Sequence, residues 1–131
     1  MILVDTSVFV AWMDPSHSNH ATCTNALRLW AGRDQLAVSS VTYSELAAGA
    51  RSQEGVDEDL KPFERIELGF EAAWRAGQRF RQYRPARHEA PVLPDFFIRA
   101  QAAVLGIQHL TNDRRRIAVW PELDFIFPEH T

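Results

Sequence analysis

The sequence predicts an α/β fold: a small, mainly parallel sheet of four to five strands flanked by helices. Two observations predict it. Short apolar runs alternate with helix-spaced segments along the whole chain, and the links between them are short. Repeats, low-complexity tracts and linkers are absent from the sequence, so the 131 residues are expected to form a single domain spanning 1–131.

Ile2-Leu3-Val4 reads as a short buried strand, followed by a helix over Ser7 to Met13 that stops at Asp14-Pro15, because proline disfavours helix at the residue before it. His20 to Ala31 has helical spacing in Ala26, Leu27 and Trp30 and ends at Gly32. Leu36-Ala37-Val38 is then a second strand, which completes a βαβ crossover. Ser40 to Tyr43 leads into a helix through Glu45 to Ala48. Arg51 to Lys61 is polar and acidic, a mobile loop or short helix.

Phe63 to Leu68 reads as a third strand, with Ile66 and Leu68 alternating inward. Phe70 to Arg84 is the clearest amphipathic helix. Its stripe of Phe70, Ala73, Trp74, Gly77 and Phe80 is expected in the core, opposite Glu71, Arg75, Gln78, Arg79 and Gln82. Pro85 to Pro94, with its prolines, is a loop. Asp95 to Gly106 is a helix, Ile107 to Leu110 a fourth strand, and Phe125 to Phe127 a last short one.

No apolar stretch approaches the roughly 20 residues that span a bilayer, and the first residues lack a signal-peptide pattern, so a cytoplasmic protein without a membrane partner is expected. Cys23, the one cysteine, excludes an internal disulfide. The net charge of −3 argues against a polyanion partner until four clustered acids are set aside. The remainder is close to neutral, and all but one of the 14 basic residues are Arg, whose planar fork suits phosphate.

Those four acids are Asp5, Glu45, Asp95 and Asp113. Asp5 and Asp113 each follow a predicted strand, Asp95 opens a helix, and Glu45 lies on the helix after the second strand. Ligands of open α/β sheets gather at the carboxyl ends of strands, where these segments would meet. Like charges brought together there make sense around a cation, and an all-oxygen donor set favours Mg²⁺ or Mn²⁺. Ser7 and Thr111 lie two residues from Asp5 and Asp113, placed to orient a carboxylate or water. Each acid also has a plain alternative as a turn residue, helix cap or solvated side chain.

Other constellations do not assemble. The five histidines are scattered without the spacing of a zinc site, and there is no glycine-rich phosphate loop or nucleophile elbow. Asp5-Thr6-Ser7 is only loosely similar to the aspartate-nucleophile phosphatases, which carry a second Asp where Ser7 stands. Arg114-Arg115-Arg116 follows Asp113 directly, either as a grip for a polyanion or as a solvated turn.

On these residues the chain resembles the PIN-domain ribonucleases, and among them the VapC-type toxins of toxin–antitoxin pairs. Ile2-Leu3-Val4-Asp5-Thr6-Ser7-Val8 is similar to the family's opening motif, Thr42-Tyr43-Ser44-Glu45-Leu46 to its glutamate helix, Asp95 to Ala100 to its central aspartate helix, and Leu110-Thr111-Asn112-Asp113 to its closing motif. The tail from Trp120-Pro121 to Phe127-Pro128 is also similar to that of many such toxins. The chain departs from the pattern at Arg114-Arg115-Arg116, where many relatives carry a further acid, and this puts a second metal ion in doubt.

The resemblance implies a PIN-like α/β/α sandwich and Mg²⁺- or Mn²⁺-dependent hydrolysis of RNA. It implies that Asp5, Asp95 and Asp113 hold the ion and that Glu45 binds or orients water. Ser7 and Thr111 would support them, and Arg114 to Arg116, with Arg84 or Arg87, would grip RNA. It also implies a homodimer and a cognate antitoxin, for which Phe9, Trp12, Trp30 and Leu46 are groove candidates. Two other readings stay open: a catalytically silent PIN-like module that binds RNA or protein, and a metal-dependent phosphatase of small esters.

Overall fold

A computed structural model describes residues 1–83 and 93–131. Five parallel strands form one sheet: β1 (Ile2–Val4), β2 (Leu36–Ser39), β3 (Glu64–Ile66), β4 (Gln108–Leu110) and β5 (Phe125–Ile126), in the order β3-β2-β1-β4-β5. The chain thus works outward from β1 to β3, then returns to place β4 on the other side of β1. The crevice between β1 and β4 is where the winding reverses, the usual ligand position in such sheets. The register sets Val4 beside Leu110, so the chain leaves both strands at the same level, into Asp5 and Thr111.

Helices cover both faces. They are α1 (Thr6–Met13), α2 (His20–Ala31), α3 (Ser40–Gly49), α4 (Gln53–Asp59), α5 (Phe70–Tyr83) and α6 (Leu93–Leu105). Ile2, Leu3 and Val4 are fully buried, and the strand pleat divides them. Ile2 and Val4 join Val8, Phe9, Leu27, Val38 and Leu60 on one face, while Leu3 joins Ala37, Ile98 and Ala102 on the other. This is the three-layer α/β/α arrangement expected, and all five strands run parallel.

Several expected boundaries shift. The acidic stretch after Arg51 forms α4, capped by Ser52 Oγ, which accepts a hydrogen bond from the Gly55 N–H at 3.1 Å. The third strand is only Glu64–Ile66: Phe63 packs into the core beside Phe9 and Trp12, and Leu68 packs against the α5–α6 layer. The last strand stops at Ile126. Helix α6 begins two residues before Asp95, with Pro94 in its first turn, where a missing N–H is harmless. The expected loop at Pro85 to Pro94 falls outside the described residues up to position 92.

The larger correction concerns α5. Phe70 and Trp74 are not core residues; they are 96% and 72% exposed. The buried stripe is Ala72 and Ala76, continued by the partly buried Phe80 and Tyr83. It has helical spacing like the expected stripe and shares Phe80 with it, but is rotated away from Phe70 and Trp74. Phe96 and Trp120 already fill the layer, with Phe80 edge-on to Phe96 at 5.3 Å. Against that bulk α5 brings the small side chains of Ala72 and Ala76, and its own rings, Phe80 and Tyr83, enter only in the second half of the helix, as close-packed interiors require. Arg79, expected on the polar face, lies over the Trp120 ring at 4.4 Å and pairs with Glu122.

Phe96→Ala should therefore destabilise the fold by about 3–5 kcal/mol, whereas Trp74→Ser should change stability by less than about 0.5 kcal/mol. Urea unfolding of both variants checks this, and the reverse ranking would contradict the placement of α5.

Candidate active site

Asp5 stands where β1 ends and α1 begins. Its N–H donates to the Leu110 carbonyl at 2.8 Å, which extends the β1–β4 pairing into the loop. Its carboxylate caps α1: Oδ2 accepts from the Ser7 N–H at 3.1 Å and from Ser7 Oγ at 2.5 Å. Ser7 Oγ in turn accepts from the Asn112 N–H at 3.1 Å. One hydroxyl thus ties the Asp5 carboxylate to the loop after β4. Asp5 is buried, so its orientation is held by these bonds and not by solvent.

Beneath it lies His109, fully buried in β4. Its Nδ1 is 3.0 Å from the Leu3 carbonyl, a contact in which the ring nitrogen donates. Nε2 lies 3.7 Å from Asp5 Oδ1, beyond hydrogen-bond range, and has no hydrogen-bond partner among the described residues. Burial pushes the imidazole pKa down against the opposing pull of Asp5, which favours the neutral ring.

Thr111 orders the turn that carries Asp113. Its buried Oγ1 accepts from the Asp113 N–H at 3.0 Å, while its own N–H donates to the Ile126 carbonyl. The Asp113 carboxylate accepts from the Arg115 N–H and from both Nε and a terminal nitrogen of that guanidinium, each at 2.9 Å. Burial would raise its pKa, but the Arg115 bonds and the charges of Arg115 and Arg99 outweigh that and hold it below the ordinary value.

Arg99, buried in α6, supports the same turn from below: its guanidinium donates to the main-chain carbonyls of Asp113 at 2.9 Å and Arg115 at 2.8 Å. Burial draws its pKa down while Asp113, Asp5 and Asp95 pull it up.

Asp95, in the first turn of α6, completes the group. Burial raises its pKa, and the negative charges of Asp5 and Asp113 raise it further, against Arg99 and Arg116. Arg116 approaches Asp95 Oδ2 at 3.3 Å. Three carboxylates from β1, α6 and the β4 turn therefore share one electrostatic environment. Glu45 is exposed on α3, and its Oε1 accepts from Thr6 Oγ1 at 2.8 Å; that hydroxyl also lies 2.8 Å from Thr42 Oγ1. The residue after Asp5 thus ties the start of α1 to Glu45 on α3.

Among the described residues, no three acidic, histidine or cysteine side chains converge into a ready cage for a metal ion. Asp113 is turned to Arg115 and Asp95 to Arg116. The donor chemistry still suits a hard cation. The oxygens are carboxylates, and the repulsion by Asp5 and Asp113, which adds to burial in raising the Asp95 pKa, is what a bound cation would relieve.

The arginine run is not one uniform patch. Arg114 lies over the Phe127 ring at 3.8 Å and pairs with Glu129, Arg115 is mostly exposed, and Arg116 is nearly buried. Arg84 and Arg87 lie outside the described residues. Sequence reasoning did not single out Thr6, Asn112, His109 or Arg99 for the site. Arg99 had a legible signal, because it follows Asp95 by four residues and so shares its helix face.

The sequence profile of the PIN domain matches residues 2–121. Among curated proteins none matches the chain. A chain of the VapBC2 complex from Rickettsia felis, bound to a DNA fragment from its promoter, is 21% identical with a TM-score of 0.74, covering 97% of this chain and 98% of that one. A chain of a toxin–antitoxin complex from Klebsiella pneumoniae is 23% identical with a TM-score of 0.75, covering 98% of each. VapC20 of Mycobacterium tuberculosis, a sarcin-ricin loop cleaving toxin, is 18% identical with a TM-score of 0.62, covering 92% of this chain and 95% of that one. At these identities the likeness is one of fold.

The raised Asp95 pKa has a sign that can be checked. A carboxyl whose folded pKa exceeds its unfolded one opposes folding once pH rises above the unfolded value. In EDTA at pH 7, Asp95→Asn should therefore melt above the wild type, and the gap should shrink as pH falls through the raised folded pKa and close below the ordinary carboxyl value, where the group is protonated in both states. A gap that persists or widens at the lower pH would count against this electrostatic origin.

Proposed function

Because the chain belongs to the PIN-domain family and has the fold of VapC toxins, we propose that it is a Mg²⁺- or Mn²⁺-dependent endoribonuclease and the toxin of a toxin–antitoxin pair. The observation that carries this is that Asp5 and Asp113 lie near enough to Asp95, around the β1–β4 crevice, for their charges to add to burial in raising its pKa.

In this reading Asp5, Asp95 and Asp113 hold the divalent ion. When bound, such an ion supplies positive charge against phosphate oxygens and lowers the pKa of an attacking water. The protein positions the rest. Ser7 holds the Asp5 carboxylate in one orientation, and Thr111 shapes the turn that presents Asp113. Glu45, held by Thr6 and facing solvent, would bind or orient the water in this reading. Arg114 and Arg115 keep exposed guanidinium surface at the rim, suited to RNA phosphates. No side-chain nucleophile is needed, so Ser7 and Thr111 act through the groups they hold.

The partners proposed are RNA, a cognate antitoxin and a second copy of the chain. The complexes from Rickettsia felis and Klebsiella pneumoniae support the antitoxin. Beside Glu45 a hollow of about 400 Å³ is lined by Val10, Met13, Leu46 and Val56, apolar surface next to an acidic site. Trp12 lines a second hollow of about 410 Å³ with Leu27 and Phe63. Phe9 is fully buried and can only support such a groove from beneath. The proposed setting is cytoplasmic; separately, no helix among the described residues is long and apolar enough to cross a membrane.

One observation favours a second reading, a silent RNA- or protein-binding module: Asp95 and Asp113 are paired with arginines of their own chain. Cleavage of total cellular RNA by the antitoxin-free protein, in Mg²⁺, Mn²⁺ or EDTA, separates the two. Discrete metal-dependent fragments are expected, with Asp5→Asn reducing the rate at least about hundredfold and Ser7→Ala about 10–100-fold. Retained cleavage in Asp5→Asn would refute this site as its origin, and RNA binding without cleavage would support the silent module.

A further inference from the structure

Arg116 is the one non-glycine residue with positive φ among the described residues, at φ 58° and ψ 23°. The left-handed backbone is uncommon for a long side chain and persists where surrounding contacts hold it. Here it opens the 3₁₀ turn Ile117–Val119 and directs the arginine back towards α6. The side chain is 5% exposed, its guanidinium lies 3.3 Å from Asp95 Oδ2, and the Tyr83 ring lies 5.5 Å from its centre.

The arginines around the acidic group are not equivalent. Arg99 is committed to the main-chain carbonyls of Asp113 and Arg115 and belongs to the framework. Arg115 holds Asp113, but its side chain is 65% exposed, and an exposed pair separates with little loss. Arg116 is both buried and directed at a carboxylate oxygen that a divalent ion would need. A guanidinium and a divalent cation cannot share that oxygen without strong repulsion in a partly desolvated place.

We infer that Arg116 is an in-chain competitor of the divalent ion at Asp95, which keeps metal affinity below the value the carboxylates would otherwise provide. The inference rests on the metal-dependent reading proposed above. Binding of the ion is then coupled to withdrawal of the Arg116 guanidinium from Asp95, and the turn after Asp113 is the element that must adjust. Arg116 is a positioning residue in this account, acting through Asp95.

The test is calorimetric titration of MnCl₂ into the metal-free full chain, as wild type, Arg116→Asn, Arg116→Lys and Asp95→Asn. Asn tolerates positive φ, so the first variant removes charge without new backbone strain. Arg116→Gln repeats the neutralisation should the Asn variant fail to fold, as judged by thermal melting. The expected result is Mn²⁺ binding at least about tenfold tighter in Arg116→Asn than in wild type, with Arg116→Lys close to wild type and Asp95→Asn weakened.

Unchanged or weaker binding in the neutral variants, while Asp95→Asn still weakens it, overturns the role of Arg116 and leaves the metal site standing. A Lys variant as tight as the Asn variant also overturns it, because charge would not be the cause. No Mn²⁺ binding by the wild type or any Arg116 variant overturns the metal reading, and this inference with it.

Discussion

The parallel pairing of β1 with β4 is the constraint on which the rest depends. These strands are about a hundred residues apart in the chain, and the pairing sets Val4 beside Leu110. The Asp5 N–H then continues the ladder to the Leu110 carbonyl. Two chain segments leave the sheet together, and their first polar groups must find partners in a crevice that solvent barely reaches. Ser7 solves this locally, since its hydroxyl donates to Asp5 and accepts from Asn112. Closing so distant a contact is entropically expensive, and the buried Ile2-Leu3-Val4 run supplies the apolar burial that offsets it.

Around this seam the molecule separates stability from chemistry. The two faces of the sheet are filled by aliphatic and aromatic side chains, while the carboxyl edge carries the charged groups. Three carboxylates near one another would be unfavourable if left alone: burial raises the Asp95 pKa, and the charges of Asp5 and Asp113 raise it further. Arginines of the same chain answer part of the charge, with Arg115 on Asp113, Arg116 near Asp95 and Arg99 beneath. The same guanidiniums stabilise the metal-free fold and stand against a cation, so stability and ion binding draw on one set of carboxylates. Such opposition is common where a site must change state to act.

Much of the architecture was legible in the chain. Alternating apolar runs and helical segments predicted a parallel α/β sheet, and the boundaries of α2 and the start of β2 follow from Gly32 and the apolar run after it. Asp5, Asp95 and Asp113 could be assigned to the carboxyl edge because each sits at the end of a strand or the start of a helix, and position in the element decides position in the sheet. The face of α5 was not legible. Phe70 and Trp74 form as good a helical stripe as Ala72 and Ala76, and hydrophobicity favours the wrong one. The choice was made by the packing of Phe96 and Trp120, which come from elsewhere in the chain and take Ala72 and Ala76 together with Phe80 and Tyr83.

The sequence by itself determined the fold class, the family and which carboxylates reach the crevice, since these depend on local periodicity and on the order of short motifs. Only the tertiary structure decided what each carboxylate faces. Whether Arg116 turns to solvent or to Asp95 depends on a left-handed residue in a turn and on where α6 holds Asp95, 21 residues earlier in the chain. Likewise, Arg99 became a support for the Asp113 turn because α6 packs beneath it. Such pairings are set by distances between segments remote in sequence, and no local pattern encodes those distances.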